Sequence, residues 1–180
     1  AINKEKEYKI SVEYTDKSGN AMAAVESEMF MIDHTAPIIV VSGIKSESAN
    51  NGEKIGFTLR AEDNNFRADG FAPVLEVVKK VDGGFAKETI DLSSAIASGN
   101  GYSIIVDNLD EDGIYTLTCV ASDLCGTSSK IMTVIDSNNA RTEALRFSVN
   151  RNGSSYMLDE KSDDTVKKQY IQNYILEYLY

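Results

Sequence analysis

The sequence has few of the residues on which small catalytic and disulfide-stabilised proteins depend. Its 180 residues include two cysteines, two prolines, one histidine and no tryptophan. Two cysteines cannot form a disulfide framework, and the single histidine, His34, lies far from both cysteines and near no nucleophile motif, which argues against zinc sites and serine triads. We therefore expect a chain with no catalytic residues and no enzymatic activity.

Positive charge and long apolar runs are also scarce. The chain carries 18 basic and 28 acidic residues, a formal net charge of −10. Nucleic acids and anionic lipid surfaces attract basic proteins, so we expect neither as a partner. No apolar run approaches the roughly 18 residues of a membrane span, and the first residues lack the apolar core of a signal peptide. We expect no direct membrane insertion, and any export signal or wall anchor should lie outside this segment.

The two cysteines, Cys119 and Cys125, are too far apart for a Cys-x-x-Cys redox motif. Cys119 occupies an inward-facing position of a predicted strand, whereas Cys125 lies in the turn beyond it. A disulfide between them would close too small a loop to stabilise the fold much. Both are therefore predicted to be free thiols.

Alternation of apolar and polar residues dominates the chain. Residues 8–14 place Tyr8, Ile10, Val12 and Tyr14 on one face of a strand and polar residues on the other. Turn residues separate such segments at intervals typical of a β-sandwich. The pattern predicts an all-β fold. Its predicted core residues are Phe57, Leu59, Ala61, Tyr115, Leu117 and Cys119.

A repeat appears when residues 8–19 are shifted by 107 positions onto residues 115–126. Tyr8 then falls on Tyr115, Asp16 on Asp123 and Gly19 on Gly126. The shift is about the length of one sandwich domain. The alternative is chance similarity between two amphipathic strands.

The repeat predicts three parts. Residues 1–33 are the C-terminal hairpin of one module, residues 34–146 are a complete module, and residues 147–180 begin a following module or form a packing tail. Pro37 marks the first junction, because proline fixes its backbone and cannot donate into a central ladder. His34 is then an exposed linker residue. In the tail, Val166, Tyr170, Ile171, Tyr174, Ile175, Tyr178 and Leu179 recur at helical spacing and predict a short amphipathic helix.

The run Glu111-Asp112-Gly113-Ile114-Tyr115-Thr116-Leu117 resembles the tyrosine corner of immunoglobulin-like domains. In that corner a tyrosine hydroxyl bonds the main chain a few residues upstream, here near residues 109–112. Leu117 stands where antibody domains carry their second cysteine. Without that cysteine and without tryptophan, the resemblance implies a sandwich but not an antibody-type domain.

The run from Tyr8 to Asn20, followed by Phe30-x-Ile32-Asp33-x-Thr35-Ala36-Pro37, resembles the immunoglobulin-like repeats of exported Gram-positive surface proteins. The segment from Phe147 to Tyr156 also looks like one that follows such modules. The resemblance implies tandem immunoglobulin-like β-sandwich modules, with neighbouring repeats as partners, on the bacterial cell surface or secreted. In the second repeat Gly126-Thr127 replaces Gly-Asn, so the following module is expected to differ in type.

Asp107, Asp110 and Asp112, beside Glu111, are the weak calcium candidates in the sequence. Calcium prefers six to eight oxygen ligands, but the spacing here is not that of an EF-hand loop. Aspartate and glycine also have a conformational reason to stand at a turn. We therefore expect no cofactor, and a fold that persists in chelator.

These observations favour a non-catalytic structural or spacer module of a bacterial surface or secreted protein. Two alternatives stay open: an adhesin module that binds host protein or glycan, and an accessory domain of a large secreted hydrolase. An exposed aromatic row would favour glycan binding. The tyrosines and phenylalanines lie mostly at core positions, which favours the spacer.

Overall fold

The computed structural model of the chain describes residues 4–82, 84–92, 96–97, 99–135 and 137–151. This part is nearly all β-structure, as predicted, with one 3-10 turn at Ala68–Gly70. None of its helical residues forms an apolar segment long enough to cross a membrane. The short helix predicted near the C-terminus lies outside the described residues.

Residues 6–32 form a long hairpin. Strand β1 (Lys6–Tyr8) pairs with β4 (Phe30–Ile32), and β2 (Ser11–Val12) pairs with β3 (Val25–Glu26), both antiparallel. The face predicted to be buried is exposed: Ile10, Val12 and Tyr14 are 55%, 52% and 62% exposed. Each sheet of the hairpin has two strands, and no other described strand pairs with them. The core-face prediction is therefore wrong for residues 8–14 within the described chain.

The sheet domain, residues 38–149, contains two larger sheets. The first has the order β10-β11-β7-β5, with all neighbours antiparallel. Its strands are β5 (Ile38–Ser42), β7 (Phe57–Glu62), β10 (Ile96–Ala97) and β11 (Gly101–Val106). β5 begins directly after Pro37, which is buried at the entrance to the edge strand.

The second sheet has the order β6-β16-β12-β8-β9, and β13 also pairs with β12. Its strands are β6 (Ser48–Asn50), β8 (Ala72–Val81), β9 (Gly84–Ile90), β12 (Gly113–Ser122), β13 (Ser128–Lys130) and β16 (Leu145–Val149). The pairing is antiparallel except between β6 and β16, which are parallel. A small separate hairpin joins β14 (Thr133–Val134) to β15 (Arg141–Thr142).

The inward faces of both sheets share one core, and the six predicted core residues are all buried. The Tyr115 ring stacks on the Phe147 ring, with centroids 5.2 Å apart and planes 5° apart. Cys119 lies inside this core, where burial raises the pKa of its thiol to about 12. Cys119 and the exposed Cys125 are both free thiols.

The module boundary expected at residue 146 falls inside β16. This strand pairs with β12 from Leu145 to Val149, and both Phe147 and Val149 are fully buried. A polar segment precedes β16 in the sequence, so the sequence pattern does not show that the chain returns to the same sheet. The core that begins with β5 therefore extends at least to Val149.

The two tyrosines separated by 107 positions make the same hydrogen bond. The Tyr115 hydroxyl donates to the Glu111 carbonyl oxygen at 2.8 Å, within the segment predicted from the sequence. The Tyr8 hydroxyl donates to the Lys4 carbonyl oxygen, also at 2.8 Å. Tyr115 is buried and its bond is part-buried, whereas Tyr8 is half-buried and its bond is exposed, so water competes more strongly with the second bond.

Replacing Tyr115 with phenylalanine is expected to lower the free energy of unfolding by about 0.5–1.5 kcal/mol, the net worth of one such bond. Tyr8→Phe is the matched control and should change it by less, because water can satisfy the Lys4 carbonyl oxygen. Urea denaturation followed by circular dichroism measures both. An unchanged midpoint for Tyr115→Phe would contradict the corner assignment.

Candidate functional site

Three chain segments meet where the hairpin joins the sheet domain. The linker 33–37 follows β4, the loop 63–67 follows β7, and the turn 123–127 follows β12. Ile38 pairs with Glu62, so β5 begins where β7 ends. An isolated bridge between Phe66 and Asp123 joins the other two segments. We call these three segments the junction loops.

Each junction loop contains an aspartate whose carboxylate closes a local turn. Oδ1 of Asp33 accepts from the Thr35 amide at 2.9 Å. Oδ1 of Asp63 accepts from the Asn65 amide at 2.7 Å. Oδ1 of Asp123 accepts from the Thr127 amide, also at 2.7 Å. Such side-chain to main-chain bonds are a common reason for aspartate at a turn, and they fix the position of each carboxylate.

Tertiary structure brings the three carboxylates together. One oxygen each of Asp33, Asp63 and Asp123 lies within 4.8 Å of the others. Asp123 is fully buried, Asp33 is 8% exposed and Asp63 is half-buried. Across the described residues, every ion pair involves other carboxylates. Among the described residues, these three carboxylates therefore form no ion pair with a basic side chain, and His34, next to Asp33 in the linker, is the one basic residue whose charge acts on Asp33.

Hydrogen bonds favour the charged form of one member of this cluster. The Asn65 side-chain amide donates to Oδ2 of Asp33, and this bond, followed by the Thr35 amide bond, lowers the pKa of Asp33. The pKa of the Cys125 thiol is raised, first by desolvation and then by the charges of Asp123 and Asp33. The junction loops therefore form a region of concentrated negative charge.

The turn at Asp123 has the same main-chain geometry as the turn at Asp16 in the hairpin. The amides of Asp16 and Asp123 donate to the carbonyl oxygens of Asn20 and Thr127, both at 2.9 Å. Gly19 and Gly126 have φ values of +88° and +86°, a conformation that glycine adopts without strain. The shift of 107 positions thus relates two turns with the same main-chain hydrogen bond.

The two turns differ in the second carboxylate oxygen. Oδ2 of Asp16 accepts from the side-chain amide of Asn20 at 2.8 Å. Thr127 stands in the place of Asn20 and has no such amide. Oδ2 of Asp123 is buried and has no hydrogen-bond partner. Burying a polar atom without a hydrogen-bond partner costs free energy, so the burial of Oδ2 of Asp123 needs a physical cause.

The structure places the sequence-predicted calcium candidates away from the junction loops. Among the described residues, Asp107, Asp110 and Asp112 form no carboxylate group close enough to share one ion. Basic side chains lie there instead: Arg151 approaches Asp110 at 3.5 Å, and Lys54 approaches Asp107 at 3.9 Å. The Arg151 amide donates to Oδ1 of Asp112 at 2.6 Å.

The other singled-out residues have packing positions. Leu117 is fully buried in the core, and Pro37 is buried at the start of β5, where its carbonyl oxygen accepts from the Ser129 hydroxyl. His34 is exposed in the linker. The sequence analysis missed the junction carboxylates because Asp33, Asp63 and Asp123 are far apart in the chain. The available signal was that each begins a turn directly after a strand.

The junction loops bring together carboxylate oxygens whose positions are fixed by amide hydrogen bonds, and carboxylate oxygens are the ligands that hard cations prefer. Comparison with protein-family models, with curated proteins and with solved structures finds no match for this chain.

Proposed function

We propose that this chain is a non-catalytic spacer of a bacterial surface or secreted protein, built from immunoglobulin-like modules. The hairpin would be the last part of one module, and the sheet domain would be the next module. The observation that carries the proposal is that the chain enters and leaves the sheet domain at opposite ends. A spacer needs this geometry, because each module must add its length to the distance spanned.

The register of β12 supports the separation of the two ends. Its first residue, Gly113, pairs with Val149, the last residue of β16, so the chain leaves at this end. Its far end leads into Asp123 and the junction loops, where the chain enters. Ten residues of strand at about 3.3 Å each span roughly 30 Å.

The strand order supports the immunoglobulin-like assignment. Sheet β10-β11-β7-β5 corresponds to the D-E-B-A sheet of such domains, and β16-β12-β8-β9 corresponds to the G-F-C-C′ sheet. The tyrosine corner at the start of β12 is also where this topology has it. The equivalent corners and turns of the hairpin and the sheet domain support the tandem-module hypothesis.

The parallel pair β6 and β16 suits a module under tension. Ser48 to Asn50 pair with Phe147 to Val149, and the Asn150 amide donates to the Asn50 carbonyl oxygen at 2.9 Å. Tension along the strands pulls β6 toward the entry end and β16 toward the exit end. All bonds between them are then loaded together in shear, instead of one after another.

We expect Ala49→Pro to lower the force at which the sheet domain unfolds when the full chain is pulled by its ends between handle domains. Proline removes an amide from β6 and restricts its backbone. Ala97→Pro is the control, because β10 is an edge strand of the other sheet and does not connect the two ends. Single-molecule force spectroscopy measures both variants.

An equal drop in force for Ala49→Pro and Ala97→Pro would contradict the load path through β6 and β16. Specific retention of the chain on a glycan or host-protein array would move the function from spacer to adhesin. Reproducible turnover of a polysaccharide or peptide library would refute the non-catalytic proposal.

A further inference from the structure

We propose that Asp33, Asp63 and Asp123 bind one Ca²⁺ ion, which ties the linker to two loops of the sheet domain. The site is new relative to the sequence-predicted candidates at Asp107, Asp110 and Asp112. It stands on its own observations, whether or not the chain acts as a spacer.

The first observation is the convergence of three carboxylates from separate segments, none of which forms an ion pair among the described residues. One oxygen of each lies within 4.8 Å of the others. Carboxylates so close together repel each other unless a cation or a proton lies between them. The Asn65 and Thr35 amides donate to Asp33 and fix the position of its carboxylate beside the other two.

The second observation is the unpaired oxygen of Asp123. This side chain is fully buried, its Oδ1 is engaged by the Thr127 amide, and its Oδ2 has no partner. In the related hairpin turn, Asn20 supplies a donor to the corresponding oxygen of Asp16. The sheet domain therefore keeps the turn but leaves the second oxygen available. A metal ion accounts for both the burial and the missing donor.

The ligand chemistry points to calcium. All three ligands are carboxylates, which suit hard cations, whereas zinc and other softer metals prefer nitrogen and sulfur. The three oxygens all lie within 4.8 Å of one another, so one ion with Ca²⁺–O distances of about 2.3–2.6 Å can contact all of them. Mg²⁺ keeps several water ligands and is usually held by one or two carboxylates, so three protein carboxylates favour calcium. Water supplies the ligands that complete its coordination.

Binding would join segments that the chain keeps far apart. Asp33 lies one residue beyond β4 of the hairpin, while Asp63 and Asp123 follow β7 and β12 of the sheet domain. A hydrogen bond from the Asn65 side-chain amide to Oδ2 of Asp33 already crosses the junction. An ion shared by the three carboxylates would hold the hairpin in one orientation against the sheet domain.

Isothermal titration of the chelator-treated full chain with CaCl₂ tests the site. We expect one ion per chain with a Kd of about 0.1–1 mM, the range of extracellular modules, and weaker binding of MgCl₂. Asp63→Asn and Asp123→Asn should each weaken Ca²⁺ binding by about tenfold or more, because each removes a charged ligand. Asp16→Asn is the matched control and should leave the affinity unchanged, because Asp16 lies in the related turn of the hairpin.

Thr127→Asn keeps the proposal testable if the aspartate variants fold poorly. The new amide should donate to Oδ2 of Asp123, as Asn20 does to Asp16. We expect this variant to melt at a higher temperature than the wild type without calcium, and to gain less stability when calcium is added. Absence of calcium binding by the wild type would overturn the proposal. Equal calcium affinity of Asp63→Asn and wild type would overturn the ligand assignment, and equal affinity for Mg²⁺ would overturn the choice of calcium.

Discussion

Replacing Phe147 with alanine is expected to lower the free energy of unfolding by about 3–5 kcal/mol, the usual cost of removing a buried aromatic side chain. Phe147 is fully buried, stacks on Tyr115, and meets the edge of Phe57 with ring centroids 6.3 Å apart. Phe147, in β16, thus packs against β12 in its own sheet and against β7 in the other sheet. Because most small domains are only marginally stable, the loss should shift the urea midpoint strongly.

Ile105→Ala is the control for this experiment. Ile105 lies in β11 of the same domain but is 59% exposed, so its truncation should change the free energy of unfolding by about 0.5 kcal/mol or less. A loss below about 1 kcal/mol for Phe147→Ala would mean that β16 contributes little to the core, given the usual cost of core truncation. The boundary at residue 146 would then stand.

Replacing Gly101 with alanine is expected to lower the free energy of unfolding by about 2–3 kcal/mol, at the upper end of typical overpacking costs. A Cβ atom on Gly101 would lie 1.9 Å from the Ala61 carbonyl oxygen of the neighbouring strand. Ala61 is fully buried, so its backbone cannot move aside without disturbing β7. The strain arises next to Glu62, the residue before Asp63, so the melting temperature should fall together with the calcium affinity.

Gly52→Ala provides the comparison. A Cβ atom at this exposed position comes no closer than 3.7 Å, to the Lys54 carbonyl oxygen. We expect a change within about 0.5 kcal/mol, or a small gain from the less flexible unfolded chain. Thermal unfolding of both variants measures the difference. Equal melting temperatures would contradict the close approach of β11 to β7.

Local features of the fold follow the sequence closely. The alternation that places Phe57, Leu59 and Ala61, and Tyr115, Leu117 and Cys119, at core positions predicted inward strand faces that the structure confirms, because a strand places successive side chains on opposite faces. The Tyr115 hydrogen bond spans four residues, so a short motif was enough to predict it. The turns at Asp16 and Asp123 are local too, and the shift of 107 positions aligns them in the sequence.

Features that depend on residues far apart in the chain could not be predicted from the sequence pattern. The alternation of Tyr8, Ile10, Val12 and Tyr14 predicted a buried face, but burial requires a neighbouring layer that the described residues do not supply. Phe147 was assigned to the next module, because no local pattern shows that β16 returns to pair with β12 and β6.

The sequence by itself determined the strands, the tyrosine corner and the turn-forming aspartates, because each depends on residues a few positions apart. Tertiary structure alone decided which aspartates meet. Asp107, Asp110 and Asp112 are neighbours in sequence but do not form a three-carboxylate group, whereas Asp33, Asp63 and Asp123 come together. The reason is that β7 and β12 both end where the linker enters the domain, a consequence of long-range strand pairing.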